Sequence, residues 1–345
     1  MCQTGPMTSS DTSPLASQPA TMPDVREADM ICERLQRARQ ETSHIIFGQD
    51  KVISQTLTAI LAGGHALLVG APGLGKTLLV TTLGTVLGLD ARRVQFTPDL
   101  MPSDITGSEI LDEDASGRRS FRFVPGPVFC QLLMADEINR ASPRTQSALL
   151  QAMQERRVAI AGAEYPLPRP FHVLATQNPL EQEGTYPLPE AQLDRFMLQI
   201  PLTFPDEQAE RTMLLATTGT QDAQAQPIMD TTGLMDAQAL VRRLPVGEKI
   251  VDAILALVRS ARPETSPDET LRSQIAWGPG PRAAQALMLA TRARALLDGR
   301  LSPSLDDVIA LARPVLAHRM ALTFAARADG VQLDDVLTRL VNRLG

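Results

Sequence analysis

The feature that most constrains this chain is a glycine-rich segment between a short apolar run and an amphipathic stretch. Residues Gly70–Thr77 have the sequence GAPGLGKT and match the spacing G-x-x-x-x-G-K-[ST] in full. They follow the apolar run Ala66–Val69 and open a predicted helix over Thr77–Leu87. In this context successive backbone N–H groups point at phosphate oxygens, and the helix N-terminus adds positive potential. The segment therefore predicts a phosphate-binding loop in an α/β domain.

Two side chains of this loop have the chemistry expected of a triphosphate site. Lys76 supplies mobile positive charge to the β- and γ-phosphates, and the hydroxyl of Thr77 is a predicted Mg²⁺ ligand. The predicted nucleotide-binding residues of the loop and the first helical turn are Gly70, Ala71, Pro72, Gly73, Leu74, Gly75, Lys76, Thr77 and Leu78.

Two adjacent acids, Asp136 and Glu137, follow a second apolar run, Leu132–Ala135. Because the carboxyl ends of parallel strands meet at one edge of a sheet, both acids are expected beside the phosphate loop. Asp136 is predicted to bind nucleotide-associated Mg²⁺, and Glu137 to polarise the attacking water as a general base. A carboxylate base favours an ATPase over GTPases, which orient water with Gln, and over kinases, whose acceptor is not water. The predicted cofactors are therefore ATP and Mg²⁺.

Three further polar residues lie at the ends of predicted elements. Asn178 follows the strand Val173–Ala175 and is predicted to hold the attacking water or sense the γ-phosphate, with a plain Asn-Pro turn as the alternative. Arg195 precedes the strand Phe196–Ile200 and is predicted to reach a neighbouring subunit's γ-phosphate, with pairing to nearby acids as the alternative. Arg282 opens a helix, where a cation is unfavourable on dipole grounds, so a phosphate is its predicted partner.

The order of predicted elements sets the fold class. Apolar strands alternate with amphipathic helices between about residues 64 and 204, which predicts a parallel sheet covered on both faces. The stretches 110–124 and 157–171 alternate in polarity and are predicted as inserted β-hairpins, with ordinary surface loops as the alternative. Beyond a polar linker at 219–233 the pattern is helical with no strand candidate, which predicts a small all-α lid domain.

The predicted domain organisation has four parts. They are a disordered tail at 1–27, an α/β P-loop core at 28–204, a connecting helix and linker at 205–250, and a helical lid at 251–345. The tail is predicted to be disordered because its Ser, Thr, Pro and Met residues bury too little surface to offset ordering.

The composition of the chain restricts the kinds of partner and the cellular location that are expected for it. Lys plus Arg number 33 against 39 Asp plus Glu, a net charge of −6, which argues against a nucleic-acid partner because such binding needs a positive surface. Cysteines and histidines are scattered without disulfide or metal-ligand spacing. The sequence has neither an apolar run long enough for a membrane span nor a secretory leader pattern. A soluble, cytoplasmic protein without a membrane span is therefore expected.

On these motifs the chain resembles the MoxR family of AAA+ ATPases over about residues 28–345. Beyond the loop and the acid pair, the resemblance rests on short blocks of sequence. These blocks are Val94–Leu100, Pro102–Gly107, Pro125–Phe129, Ala135–Arg140, Thr145–Leu150, Ala175–Pro179, Pro189–Phe196 and Pro281–Leu287.

The resemblance implies further assignments. Gly48 and Gln49 are implied to contact the adenine side, Asn178 to act as sensor 1, Arg195 as the trans arginine finger and Arg282 as sensor 2. The two hairpins resemble the helix-2 and pre-sensor insertions. Family members form ring hexamers, act as chaperone-like remodellers and often work with proteins bearing a von Willebrand factor A domain. A homo-hexameric ring and such a partner are therefore implied.

The predicted function is ATP-driven, chaperone-like remodelling or activation of partner proteins. The alternatives are a DNA-acting motor, since related hairpins line DNA channels in other AAA+ rings, and the ATPase subunit of a metal-insertion complex of the magnesium-chelatase type. A nucleotide-gated scaffold with little turnover is a further alternative, against which the acid pair argues.

The charges of the two hairpins discriminate between the DNA-motor alternative and a protein partner. The charged residues are Arg118, Arg119, Arg122, Asp112, Glu113 and Asp114 in the first hairpin, and Arg156, Arg157, Arg169 and Glu164 in the second.

Overall fold

The computed structural model describes residues 25–113, 119–179, 184–218 and 224–344. The predicted tail at 1–27 lies outside these ranges except for its last three residues, which begin the first helix. Asp114 and Arg118 of the first hairpin also lie outside the described residues.

The described residues alternate helices with strands in the first half and are mostly helical in the second. The helices are α1 (Val25–Ile45), α2 (Asp50–Leu61), α3 (Lys76–Val86), α4 (Pro102–Thr106), α5 (Pro143–Glu155), α6 (Glu190–Leu193), α7 (Glu207–Thr217), α8 (Thr231–Arg243), α9 (Glu248–Ser260), α10 (Glu269–Gln274), α11 (Pro281–Leu297), α12 (Leu305–Leu316), α13 (Phe324–Ala328) and α14 (Leu333–Val341). The strands are β1 (Ala66–Val69), β2 (Ala91–Gln95), β3 (Gly107–Glu113), β4 (Arg119–Pro125), β5 (Leu132–Asp136), β6 (Arg157–Ile160), β7 (Ala163–Pro166), β8 (His172–Gln177), β9 (Leu198–Pro201), β10 (Ile275–Trp277) and β11 (Ala321–Leu322).

Five strands form a parallel sheet in the order β2-β5-β8-β1-β9. The predicted α/β core with a parallel sheet is confirmed, and the four predicted strands correspond to β1, β5, β8 and β9. The edge strand β2 was missed because only Val94 of its five residues is buried, so the strand lacks an apolar pattern. Its register places Val94 beside Ala135 and Gln95 beside Asp136.

The sheet is covered on both faces because neighbouring strand residues point in opposite directions. Leu67 of β1 joins a cluster with Leu149 of α5 and Val173 of β8 on one face. Leu68 joins a second cluster on the other face, which contains residues of α1, α2 and α3 and extends without a break into the lid helices α9, α11 and α12. The lid therefore packs against the helices that cover one face of the core.

Both predicted hairpins are present. β3 pairs with β4, and β6 pairs with β7, each antiparallel. The hairpins touch through an aromatic contact, because Phe123 of β4 stacks on Tyr165 of β7 with ring centroids 4.0 Å apart and an interplanar angle of 24°. Phe129 meets Phe123 edge-on at 5.4 Å. The two insertions are therefore joined at their sides.

Two features of the second half differ from the sequence prediction. The lid contains one short antiparallel pair, β10 with β11, in an otherwise helical domain. The predicted linker at 219–233 is shorter, since α8 begins at Thr231 and residues 219–223 lie outside the described ranges. The side chain of Asp230 accepts a hydrogen bond from the Gly233 N–H at 2.8 Å. This residue of the predicted linker is therefore the N-cap of α8. No helix in the described ranges is long and apolar enough to cross a membrane.

Candidate active site

The phosphate loop joins β1 to α3 at the carboxyl edge of the sheet. Gly73 and Gly75 have φ angles of 81° and 71°, in the left-handed region that glycine adopts without steric cost. No heavy atom lies within 4 Å of a Cβ built at either glycine, so the surface of the loop is open to a ligand. The ammonium group of Lys76 donates to the Gly70 carbonyl at 2.7 Å.

A pocket of about 290 Å³ continues from the loop toward α7 and the connection between α1 and α2. Gln49 lines it and donates through Nε2 to the Leu74 carbonyl at 3.0 Å, while its Oε1 is buried without a hydrogen-bond partner among the described residues. Such an acceptor suits a donor on a ligand, and the exocyclic amino group of adenine is one. Gly48 has a φ of +68°, and a Cβ there would lie 2.5 Å from the Ala209 Cβ. Gly48 therefore allows α7 to close the pocket.

The carboxylate of Asp136, at the end of β5, is held from two sides. Its Oδ1 accepts from the hydroxyl of Thr176 on β8 at 2.6 Å. Its Oδ2 accepts from Arg93 on β2, at 2.6 Å from Nη2 and 3.1 Å from Nε. The same Thr176 hydroxyl accepts from the Glu137 N–H at 2.8 Å. Thr176 thus ties the strand bearing the acids to the strand that leads to Asn178.

Glu137 is fixed through both its backbone and its side chain. Its φ of 54° is in the left-handed region, which costs a non-glycine residue about 1–2 kcal/mol. Its Oε2 accepts from Gln95 Nε2 at 2.9 Å and from Arg140 Nη1 at 3.0 Å. The carboxylate is therefore held in position by Gln95 and Arg140.

Asn178 lies where β8 meets the start of the phosphate loop. β8 ends at Gln177, whose carbonyl accepts from the Gly70 N–H at 3.1 Å. Asn178 is the next residue and is buried. The structure therefore brings Asn178 to the same sheet edge as Gly70, Asp136 and Glu137.

Arg195 and Arg282 lie at the opposite, amino edge of the sheet. β9 runs parallel to β1 with Leu198 beside Ala66, so the residues just before Leu198 lie at the end of the sheet remote from the loop. The length of β1 alone separates the two edges by roughly 10 Å. Arg195 and Arg282 line one pocket of about 160 Å³, and Arg282 Nη1 lies 3.5 Å from Asp194 Oδ2. Neither arginine is brought to the phosphate loop of its own chain.

Comparisons with known proteins show which family the chain belongs to. A family model described as ATPase family associated with various cellular activities (AAA) matches residues 65–198, and an AAA lid domain model matches residues 269–340. Chaperone MoxR1 of Mycobacterium tuberculosis is 42% identical over 89% of this chain and 81% of its own length. Protein MoxR of Methylorubrum extorquens is 32% identical over 83% of this chain and 87% of its own length. The chain belongs to the MoxR family of AAA+ ATPases.

A solved structure has the same fold as this MoxR-family chain. It is the crystal structure of a protein assigned as an ATPase from Cytophaga hutchinsonii, with a TM-score of 0.85 and 37% sequence identity. It covers 92% of this chain, and this chain covers 96% of it. The likeness therefore extends through both the core and the lid.

The donor types at the carboxyl edge fit Mg²⁺ bound together with a nucleotide. Thr77 offers a hydroxyl and Asp136 a carboxylate, which are oxygen ligands of the kind Mg²⁺ prefers. Within the described residues no group of three or more His, Cys, Asp or Glu side chains is arranged to hold a metal ion. Mg²⁺ here would therefore need phosphate oxygens and water to complete its coordination.

Besides Arg140, which follows Glu137 closely in the sequence, sequence reasoning missed three residues that contact the acids: Arg93, Gln95 and Thr176. Arg93 and Gln95 lie on β2, the strand without an apolar pattern. Thr176 lies near the end of the buried strand β8, after the apolar run Val173–Ala175. Only the pairing of β5 with both β2 and β8 identifies them as neighbours of Asp136 and Glu137.

Proposed function

We propose that this MoxR-family chain hydrolyses ATP and uses the reaction to remodel or activate partner proteins, in a homo-oligomeric ring whose sites lie between copies. The supporting observation is the division of the machinery between two sheet edges. Lys76 and Glu137 lie at the carboxyl edge, whereas Arg195 and Arg282 lie at the amino edge. In a head-to-tail ring the amino edge of one copy faces the carboxyl edge of the next.

The chemistry divides among the residues as follows. The loop N–H groups and Lys76 bind the phosphates, Gln49 accepts from the adenine amino group, and Asn178 orients the attacking water. Glu137 takes the proton from that water as it attacks the γ-phosphorus. Mg²⁺, when bound through Thr77 and Asp136, neutralises charge on the phosphate oxygens. Arg195 of a neighbouring copy stabilises the charge that develops in the transition state.

Arg282 belongs with Arg195 in this proposal. Both line the same pocket at the amino edge, and both are remote from the phosphate loop of their own chain. The sensor role implied by the family resemblance is therefore assigned to a neighbouring copy's nucleotide. A hexamer remains the proposed ring size, on the family resemblance alone.

The hairpin charges support a protein partner over DNA. Arg119 pairs with Glu113 at 3.0 Å, Arg122 pairs with Asp112 at 2.8 Å, and Arg157 pairs with Glu164 at 2.8 Å. These three cations are neutralised by acids of the same hairpins, whereas DNA binding needs arginines available for phosphates. Arg156 and Arg169 of the second hairpin form no ion pair within the described ranges. The first hairpin instead exposes apolar side chains, with Leu111 opposite Phe121, which is 72% exposed. An exposed apolar patch is typical of a protein-binding surface.

The proposal of a partner with a von Willebrand factor A domain rests on the family resemblance. The relative named as a chaperone supports the broader role in acting on proteins. A cytoplasmic location stays a prediction from the sequence.

Glu137→Gln is the decisive variant for the chemistry. It keeps the shape of the side chain but removes the base, so hydrolysis should fall by roughly 10²–10⁴-fold while ATP binding is retained. Phosphate release and titration with a fluorescent ATP analogue measure the two quantities. The matched control is Glu155→Gln, at an exposed acid on α5, which should hydrolyse ATP at the wild-type rate. A Glu137→Gln protein with normal turnover contradicts the proposed mechanism.

The ring and the partner class have their own tests. Specific activity should rise with protein concentration, because each site needs a second copy, and a concentration-independent rate contradicts a shared site. For the partner class, hydrolysis is measured with and without double-stranded DNA over a range of salt concentrations. Stimulation by DNA with a steep salt dependence would favour the DNA-motor alternative.

A further inference from the structure

A buried arginine from the lid, Arg319, contacts the turn that bears Arg195. Arg319 ends a short 3₁₀ helix, Ala317–Arg319, that follows α12, and its side chain is only 3% exposed. Its Nε donates to Asp194 Oδ1 at 2.7 Å. Its two terminal nitrogens donate to backbone carbonyls of the same turn, and also to the carbonyl of Val315 in α12.

The contacts of Arg319 lie on both sides of Arg195. The carbonyl of Asp194 accepts at 3.1 Å, that of Phe196 at 2.7 Å and that of Met197 at 3.1 Å. With the Asp194 carboxylate and the Val315 carbonyl, these acceptors match the five N–H donors of one guanidinium group. A lysine at this position has three donors without the planar fork and cannot satisfy the same set.

The side chain of Arg195 is left out of this network. Within the described residues it makes no hydrogen bond or ion pair, whereas the residues before and after it are held in place. The neighbouring His318 adds a hydrogen bond between its Nε2 and the Phe196 carbonyl at 2.9 Å. The turn is therefore fixed by the lid while the arginine it presents is available to another molecule.

We propose that Arg319 is a positioning residue for hydrolysis in trans: it fixes the Asp194–Met197 turn so that Arg195 meets the γ-phosphate of the neighbouring copy. The inference rests on the proposed function. The Arg319 side chain contacts neither the nucleotide pocket nor the phosphate loop of its own chain, so its effect on hydrolysis passes through Arg195. Movement of the lid then changes the position of the arginine that the next site needs.

The test mixes variants that are defective in different halves of the shared site. Glu137→Gln cannot catalyse in its own site but presents an intact Arg195. Arg319→Lys keeps its own site but presents Arg195 poorly, and should lose about 10–100-fold in kcat, since small misplacement costs this much. Its affinity for a fluorescent ATP analogue should be unchanged. The matched control is Arg313→Lys, at an exposed arginine of α12 that pairs with Asp334.

Complementation between variants then distinguishes a positioning role of Arg319 from a purely structural one. Arg319→Lys mixed with Glu137→Gln should regain activity, because the Arg319→Lys site receives Arg195 from its neighbour. Arg319→Lys mixed with Arg195→Ala should show no gain over the low rate of Arg319→Lys alone, because both variants fail on the same side of the interface. Arg313→Lys should be active alone. Asp194→Asn is the second variant and should fall in the same complementation group as Arg319→Lys.

Three outcomes overturn the inference. They are wild-type turnover in Arg319→Lys, failure of Glu137→Gln to rescue Arg319→Lys while it does rescue Arg195→Ala, and loss of folding in both Arg319→Lys and Asp194→Asn. Failure of the proposed function gives a different result, namely no hydrolysis by the wild type, or an Arg195→Ala protein that Glu137→Gln does not rescue.

Discussion

The two edges of the central sheet differ in how their charges are matched. At the carboxyl edge each acid already has a cationic partner, Arg93 for Asp136 and Arg140 for Glu137. At the amino edge three arginines surround a single acid, Asp194, which is bonded at short range to only one of them. The carboxyl edge is therefore balanced within the chain, whereas the amino edge retains positive charge that suits an anion from outside.

This difference supports the proposal that the site is divided between copies. A triphosphate at the phosphate loop brings more negative charge than Lys76 alone neutralises, and the surplus arginines are at the remote edge. In the proposed ring, the arginines at the amino edge of one copy would meet the triphosphate at the carboxyl edge of the next. Variants that affect one edge but not the other test this proposal.

The largest effects should come from removing the principal cation of each edge. Lys76→Ala and Arg195→Ala should both lose about 10³-fold or more in hydrolysis, because each stabilises charge on the transferred phosphoryl group. Only Lys76→Ala should also lose ATP affinity, measured by titration with a fluorescent analogue. Lys249→Ala, at an exposed lysine of the lid, is the control and should resemble wild type in both assays. Equal loss of binding in Arg195→Ala would show that this arginine serves its own chain's site.

Acid should destabilise the amino edge, where three buried histidines lie. Burial lowers the pKa of His65 to about 3, of His172 to about 4 and of His318 to about 3. In the unfolded chain these histidines take up protons below about pH 6.5, whereas in the folded protein they stay neutral down to about pH 3–4. The free energy of unfolding should therefore fall as pH drops below 6.5, by up to about 1.4 kcal/mol per pH unit for each histidine.

Urea denaturation between pH 7.5 and 5 measures this loss. His172→Gln replaces the imidazole ring, whose Nδ1 contacts the Gly64 carbonyl at 2.8 Å, with an amide that does not take up a proton. The variant should reduce the slope of the unfolding free energy against pH by about the contribution of one histidine. His44→Gln, at an exposed histidine of α1, is the control and should leave the slope unchanged. An identical pH dependence in the His172→Gln protein would refute this account.

A smaller effect should follow from Gln49→Ala at the carboxyl edge. Its unpaired Oε1 is the acceptor proposed for the adenine amino group, and one such hydrogen bond corresponds to about a tenfold change in affinity. Competition between ATP and GTP for the fluorescent analogue should show reduced preference for ATP. The control is Gln151→Ala, at an exposed glutamine of α5. Unchanged affinity and unchanged base preference would remove Gln49 from the site.

The smallest effect should come from Arg93→Gln. Arg93 competes with Mg²⁺ for the carboxylate of Asp136, and its side chain is half exposed, so the pair is screened by solvent. The Mg²⁺ concentration for half-maximal hydrolysis should fall about two- to fivefold. Arg92→Gln is the matched control, since the adjacent Arg92 pairs with the exposed Asp90. A higher Mg²⁺ requirement in Arg93→Gln would mean that Arg93 supports the metal site instead.

How well the sequence predicts the position of a residue depends on whether that residue belongs to a local motif. The phosphate loop and the acid pair are contiguous motifs between recognisable elements, so their positions at the end of β1 and the end of β5 follow from local pattern and the geometry of parallel strands. Asn178 could be placed by the same rule. The roles of these residues stay predictions until they are tested.

Residues whose contacts depend on pairing or packing between segments distant in the sequence could not be predicted from local patterns. Gln95 reaches Glu137 only because the edge strand β2 pairs with β5, and β2 shows no apolar pattern. Arg319 meets the turn after Asp194 only through the packing of the lid on the core. Arg282 was expected to meet a phosphate, but its position beside Asp194, remote from its own loop, depends on the same packing.

The stacking of Phe123 on Tyr165 has a mechanical consequence. The first hairpin begins a short distance after β2, which contacts both acids, and the second leads into β8, which ends beside Asn178. In the proposed function, a displacement of either hairpin would therefore be passed to the other through these two rings, and it would reach the acids along β2 and Asn178 along β8.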